Sequence, residues 1–168
     1  MRAQKPMGVR EFDKALERLV VLVADGNSYS RRLTQIMLTN IGAKVIHEVS
    51  DGVAALEAIP AVNPDVMILE WGLPVLDGCE VMRIVRSPGT FPKPNLPVIM
   101  LTDCGKRGRL DAALALGVHE FLVKPISSTT LQQRLVGIVS KPRLMVLAGK
   151  YYIPLPRRRI DRDELIGT

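Results

Sequence analysis

Four apolar residues, Val66-Met67-Ile68-Leu69, run straight into Glu70, and a turn, Trp71-Gly72-Leu73-Pro74, follows at once. A short, fully apolar run reads as a strand buried on both faces, as in a parallel sheet. An acid at the carboxyl end of such a strand sits where open α/β folds place their chemistry. It can equally be an acid that opens a surface loop, because strand-end loops are routinely polar. The other strand ends decide between the two.

Runs of the same kind recur along the chain. Residues 19–24 are apolar and end in Asp25-Gly26-Asn27-Ser28, with Ser28 placed to cap the next helix. Leu33, Ile36, Met37 and Ile41 form that helix's apolar face, and Gly42 closes it. A second strand is predicted over 44–49, then a helix through Val53, Leu56 and Ile59 that Pro60 stops. After the strand at 65–70, Asp77-Gly78 opens a helix through Val81, Ile84 and Val85. Residues 87–97 hold four prolines and read as a stiff loop. The fourth strand, 98–101, ends in Thr102-Asp103, and Leu110, Ala113 and Leu114 mark the helix after it, closed by Gly117. The fifth strand, 120–123, ends in Lys124-Pro125, and Leu131, Leu135, Ile138 and Val139 give the last helix. Ahead of everything, Val9, Phe12, Leu16 and Leu19 fall at helical spacing.

Five strands alternating with five helices imply an α/β fold, a doubly wound five-stranded parallel sheet with helices on both faces. We divide the chain into an N-terminal extension with a short helix (1–18), the α/β domain (19–140) and a basic C-terminal extension (141–168). In the extension Pro142, Pro154 and Pro156 break any long helix, and 144–147 reads as an extra edge strand. The run Tyr151-Tyr152-Ile153-Pro154-Leu155-Pro156-Arg157-Arg158-Arg159 reads as a groove-docking peptide, a phosphate contact or a plain tail.

The net charge of +6 lies entirely in the ends, with +2 in residues 1–18, +4 in 141–168 and none in 19–140. A neutral domain with basic ends is not a dedicated DNA-binding fold, so a nucleic-acid partner is not favoured. No apolar run approaches the roughly 20 residues of a membrane span, and residues 1–18 lack the apolar centre of a secretion signal. Two cysteines, Cys79 and Cys104, fit a reducing cytoplasm and give no metal-ligand spacing. His47 and His119 lack a second ligand at metal spacing and read as structural or surface residues.

In a doubly wound sheet the carboxyl ends of the strands share one rim. That rim receives Asp25, Glu70, Thr102 and Lys124, two acids, a hydroxyl and an amine. The set resembles the receiver domain of two-component response regulators, the CheY-like family, over about residues 19–140. The resemblance is carried by Val21-Leu22-Val23-Ala24-Asp25-Gly26-Asn27, Leu69-Glu70-Trp71-Gly72-Leu73-Pro74-Val75-Leu76-Asp77-Gly78, Ile99-Met100-Leu101-Thr102 and Phe121-Leu122-Val123-Lys124-Pro125. It implies a flavodoxin-like sheet with strand order 2-1-3-4-5. It also implies a phosphoacceptor aspartate at the position of Glu70, and two acids at Asp25 and Gly26 that hold Mg²⁺ with the carbonyl at Gly72. The hydroxyl at Thr102 and the amine at Lys124 would bind phosphoryl oxygens. The aromatic at Phe121 would turn inward when the hydroxyl moves.

The sequence departs from that pattern twice. Glu70 replaces the acceptor aspartate, and its extra methylene displaces the carboxylate by about one bond length, where in-line attack is intolerant of ~1 Å errors. Gly26 replaces a metal-holding acid, and Mg²⁺ needs its few carboxylates well placed. We therefore expect no catalytic residue, no required cofactor and at most weak Mg²⁺ binding. One reading makes Glu70 a built-in partial mimic of the phosphorylated state, paired to Lys124 and hydrogen-bonded by Thr102. The other makes it a decayed site in which Lys124 merely neutralises Asp25 and Glu70.

The resemblance suggests a stand-alone cytoplasmic receiver of bacterial type. It would act on a protein partner such as a histidine kinase, a phosphotransfer protein or another regulator. Lys106, Arg107 and Arg109 form a basic cluster that reads as a solvated face or a partner surface, since receivers like this one use the helix at 110–114, the strand at 120–123 and the last helix for dimers and outputs. Two rival functions are an active phosphoacceptor, and a nucleic-acid-associated regulator working through its basic ends.

Overall fold

The computed structural model describes residues 7–156. Helix α1 (Val9–Arg18) leads into β1 (Val20–Ala24), and then α2 (Ser28–Asn40), β2 (Val45–Val49), α3 (Gly52–Val62), β3 (Val66–Glu70), α4 (Gly78–Arg86), β4 (Val98–Thr102), α5 (Arg107–Ala115), β5 (Glu120–Val123) and α6 (Ser128–Ser140) follow in alternation. The strands form one parallel sheet in the order β2-β1-β3-β4-β5, as the resemblance implied.

Successive strand residues point to opposite faces, and each face has its own apolar layer. Leu22, Met67, Leu69, Val98 and Met100 pack beneath α3 and α4 with Ala55, Ile59, Val81, Met82 and Val85. Val21, Val23, Val66, Ile68, Ile99 and Leu101 pack on the other face with Phe12 and Leu16 of α1, Leu38 of α2, and Leu131 and Leu135 of α6. Burial on both faces explains why β1, β3 and β4 are apolar runs and not alternating ones. The register sets Glu70 beside Leu101 and Thr102 beside Val123, so the polar strand ends come out level.

Several local expectations are corrected. Asn27, not Ser28, caps α2, its side-chain oxygen accepting from the Ser30 amide at 2.9 Å. Pro60 does not stop α3. It sits in the last turn and forfeits one backbone bond, and the helix runs on to Val62 before Asn63 turns left-handed. The extra edge strand at 144–147 is instead half of a hairpin. β6 (Met145–Ala148) pairs antiparallel with β7 (Tyr151–Pro154), apart from the main sheet. β7 lies against α4, and Tyr151 joins the apolar layer there. A Cβ at Gly117 would stand 2.3 Å from the Tyr152 carbonyl oxygen, so that close approach requires glycine. Arg157, Arg158 and Arg159 lie outside the described residues.

Arg86, at the end of α4, has 0 % of its surface exposed. Its guanidinium donates to the carbonyls of Pro94 at 2.6 Å, Leu96 at 2.6 Å and Gly117 at 3.0 and 3.1 Å. Burial pulls its pKa down to about 9, which leaves it charged at neutral pH. It ties α4, the proline-rich loop and the turn before β5 into one unit. Next to it, His119 Nδ1 accepts from the Val98 amide at 3.3 Å.

Candidate functional site

The site is built from the ends of β1, β3, β4 and β5. Asp25 is 3 % exposed, Glu70 8 % and Thr102 0 %, so three polar groups converge in a nearly dry position. Lys124 follows β5 through a cis bond to Pro125. Its ammonium faces Glu70 Oε2 in an ion pair, Asp25 Oδ2 at 3.2 Å and the Ser30 hydroxyl oxygen at 2.7 Å. Burial alone would lower the Lys124 pKa. The hydrogen bond and charge of Glu70, helped by Asp25, more than offset it, and the pKa is raised. Two of its donors go to the Asp25 and Ser30 oxygens, while Glu70 Oε2 closes on the ammonium as an ion pair.

The first strand end is equally occupied. Asp25 Oδ1 accepts from the Asn27 amide at 2.9 Å, and its carbonyl accepts from Arg31 at 2.6 Å. Gly26 lies under the loop that follows β3. A Cβ there would stand 2.6 Å from Pro74 Cδ and 2.8 Å from Pro74 Cγ, so the proline ring fills the space a side chain would need. The loop is held in that position by a tight turn. The Leu76 amide bonds back to the Pro74 carbonyl at 2.8 Å, Val75 has φ +69°, and the Gly52 amide donates to the same carbonyl at 3.1 Å. Gly72 is exposed, and its amide points to Glu70 Oε1 at 3.4 Å.

Thr102 is not hydrogen-bonded to Glu70, contrary to the mimic expectation. Its Oγ1 instead accepts from the Cys104 amide at 3.2 Å and from Arg109 Nη1 at 3.0 Å. The Arg109 guanidinium also lies over the Trp71 ring, 5.0 Å from its centroid. The basic cluster therefore divides. Lys106 and Arg107 stay exposed, while Arg109 folds onto the rim. Trp71 is half-buried under it, and Phe121 is half-buried against the layer beneath α3 and α4.

Sequence reasoning did not single out Ser30, quoted Pro74 only within a motif, and placed Arg109 in a basic cluster that reads as a solvated face or a partner surface, not on the rim. Ser30 stood five residues beyond Asp25, within reach of the rim, but carried no motif. Pro74 and Arg109 act across loops whose paths only the folded chain defines.

No group of three or more His, Cys, Asp or Glu side chains is placed to hold a metal among the described residues. No helix among them is long and apolar enough to cross a membrane.

Comparison with known proteins places the fold in one family. The family model of the response regulator receiver domain matches residues 21–136. The chain is 33% identical over 117 residues to the chemotaxis protein CheY1 of Helicobacter pylori, covering 68% of this chain and 92% of that one. Among solved structures it is similar to the CheX-CheY complex with BeF3 and Mg from Borrelia burgdorferi, with TM-score 0.66, 25% identity, and coverage of 73% of this chain and 90% of that one. It is also similar to the receiver domain of a sensor histidine kinase from Pseudomonas aeruginosa, which has magnesium coordinated in its active-site cleft. There the TM-score is 0.62 and the identity 26%, over 71% of this chain and 94% of that one.

Proposed function

The chain belongs to the response-regulator receiver family of two-component signalling, and from that premise we propose that it is a receiver that signals without phosphotransfer. Glu70 supplies a permanent carboxylate, and output is by binding a protein partner in the bacterial cytoplasm. One observation carries the reading, the closed ion cluster of Glu70, Lys124 and Asp25. The lysine that would receive phosphoryl oxygens is already hydrogen-bonded to Asp25 and Ser30 and ion-paired with Glu70.

The donor set fits Mg²⁺ poorly. The cation favours octahedral oxygen ligands and gives up its water reluctantly. Of the two acids the family would place here, one is absent, and the other, Asp25, is bonded through both oxygens. The absence is steric as well as electrostatic, because Pro74 occupies the room beside Gly26. No catalytic step is assigned to the chain, and no resident cofactor.

The partner is of the kind receivers engage, a histidine kinase, a phosphotransfer protein or another regulator. The relative from Borrelia burgdorferi, solved in complex with CheX, is an example of the protein-binding mode. Exposed Lys106 and Arg107 offer positive charge to an acidic partner face, and a homodimer through α5, β5 and α6 is the other use of that surface.

The metal part of this reading has a direct test. Titrating Mg²⁺ while recording the emission of Trp71, the protein's one tryptophan, should give no saturable change up to millimolar metal. Gly26→Asp should not restore binding. Instead the new side chain must displace the Pro74 ring, and overpacking of this kind costs about 1–3 kcal/mol. A saturating Mg²⁺ response from the natural protein, or tight binding by Gly26→Asp with unchanged stability, would contradict the reading.

A further inference from the structure

Helix α5 is weakly anchored by apolar packing, since Ala113 is its one buried residue. Elements with few buried apolar contacts open at low free energy, so one polar tether can govern their order. Arg109, in the first turn, is such a tether. It donates to the hydroxyl of Thr102, which is wholly buried, and stacks on Trp71, the residue next to Glu70.

The charge around it is unequal without it. Asp25 and Glu70 together carry two negative charges and Lys124 carries one positive charge, so the ion cluster is net negative when ionised. Arg31, at the Asp25 carbonyl, is already paired with Glu48, so Arg109, reaching the same rim through Thr102, is the cation that balances the cluster. A half-buried guanidinium beside such a cluster is held by field as well as by contact. Without the charge of Glu70 the cluster is neutral and that hold disappears, although the hydrogen bond and the ring contact could still form.

We propose that Arg109 is a positioning residue that reads the charge at position 70 and conveys it to α5, keeping the first turn of the helix latched to Thr102 and Trp71 while Glu70 is ionised. The inference rests on the reading of Glu70 as a permanent charge. It also names the route by which that charge reaches a surface helix. The route differs from the expected hydroxyl-to-carboxylate bond, since Thr102 is engaged from the α5 side.

The test is a double-mutant cycle on the full chain with Glu70→Gln, Arg109→Met and the pair. Two signals are read, the emission of Trp71 and the hydrogen-exchange rates of amides 107–115, with exchange in β1 and β3 recording global stability. Glu70→Gln keeps the side-chain size, and Arg109 is half-buried, so both variants fold. Each single change should shift Trp71 emission in the same direction and speed α5 exchange, Arg109→Met about fivefold, the size of one net hydrogen bond, and Glu70→Gln by less, because the hydrogen bond to Thr102 can still form. Any loss of global stability read in β1 and β3 is subtracted from the α5 effect, and the double variant should then add little to Arg109→Met alone. If Glu70→Gln leaves both signals at their natural values, or if the two effects simply add, Arg109 does not read position 70. A phosphoryl adduct on natural Glu70 would defeat the reading of a permanent charge, yet the cycle would still report whether Arg109 responds to position 70.

Discussion

Lys124→Met should destabilise the protein by about 3 kcal/mol at pH 7, at the low end of the cost of removing one partner from a buried ion pair. The substitution leaves Asp25 and Glu70 facing each other with little water and without the ammonium between them. For a chain of this length the loss corresponds to a fall in Tm of roughly 6–12 °C. The deficit should narrow in acid, where carboxylates take up protons and the repulsion is relieved. The natural protein should show the opposite limb. Because the folded Lys124 pKa is raised, its contribution is fully present below the ordinary lysine value of 10.5 and is lost as the pH climbs through the higher folded value. Thermal melts of both proteins between pH 4 and pH 11 (about the carboxylate and lysine ranges) check both limbs. A variant as stable as the natural protein at pH 7 would mean that Lys124 contributes no net attraction.

Arg86→Met should cost about as much, roughly 3 kcal/mol, for a different reason. No carboxylate is left behind, and the buried guanidinium charge disappears. What remains is a set of inward-facing carbonyls, those of Pro94, Leu96 and Gly117, deprived of their donors. An unsatisfied buried polar group costs about 1–3 kcal/mol, and removing a desolvated charge offsets part of the sum. Arg86→Lys is the discriminating variant. An ammonium is a point donor and cannot span three carbonyls as the planar fork does. It should therefore recover little of the loss in urea or thermal unfolding. Full recovery by lysine would show that charge, not the fan of hydrogen bonds, is what this position supplies.

The fold was legible because burial on both faces leaves a plain mark. Three central strands must be continuous apolar runs, and helices between them force parallel pairing. The rim followed from the same rule, since strand ends are level when registers are short and regular. What the sequence hid were contacts across loops. The hairpin of 145–154 escaped because Pro142, Pro154 and Pro156 suggested an irregular tail. Yet Gly149-Lys150 between Met145-Val146-Leu147-Ala148 and Tyr151-Tyr152-Ile153 is a two-residue turn between strand formers, a signal that was available. Arg86 carries no sequence signal beyond that of a cation in a helix's last turn, and nothing local reveals that a loop and a turn close over it. Arg109 read as part of a basic cluster, a solvated face or a partner surface, because Lys106 and Arg107 stand beside it in sequence. Its hydroxyl partner is seven residues away, across a bend whose direction the sequence does not state. The missing acid at 26 was visible, whereas the proline ring in its place was not.

On this reading position 70 carries a permanent charge and accepts no phosphoryl group. The most direct test is the intact mass of the purified protein after incubation with Mg²⁺ and acetyl phosphate, with Glu70→Asp treated alongside. The expected result is an unchanged mass for the natural protein, and none or only a trace of adduct on Glu70→Asp, because Pro74 and Gly26 still close the metal side. A phosphoryl adduct on the natural chain would contradict it and restore this receiver to a phosphorelay.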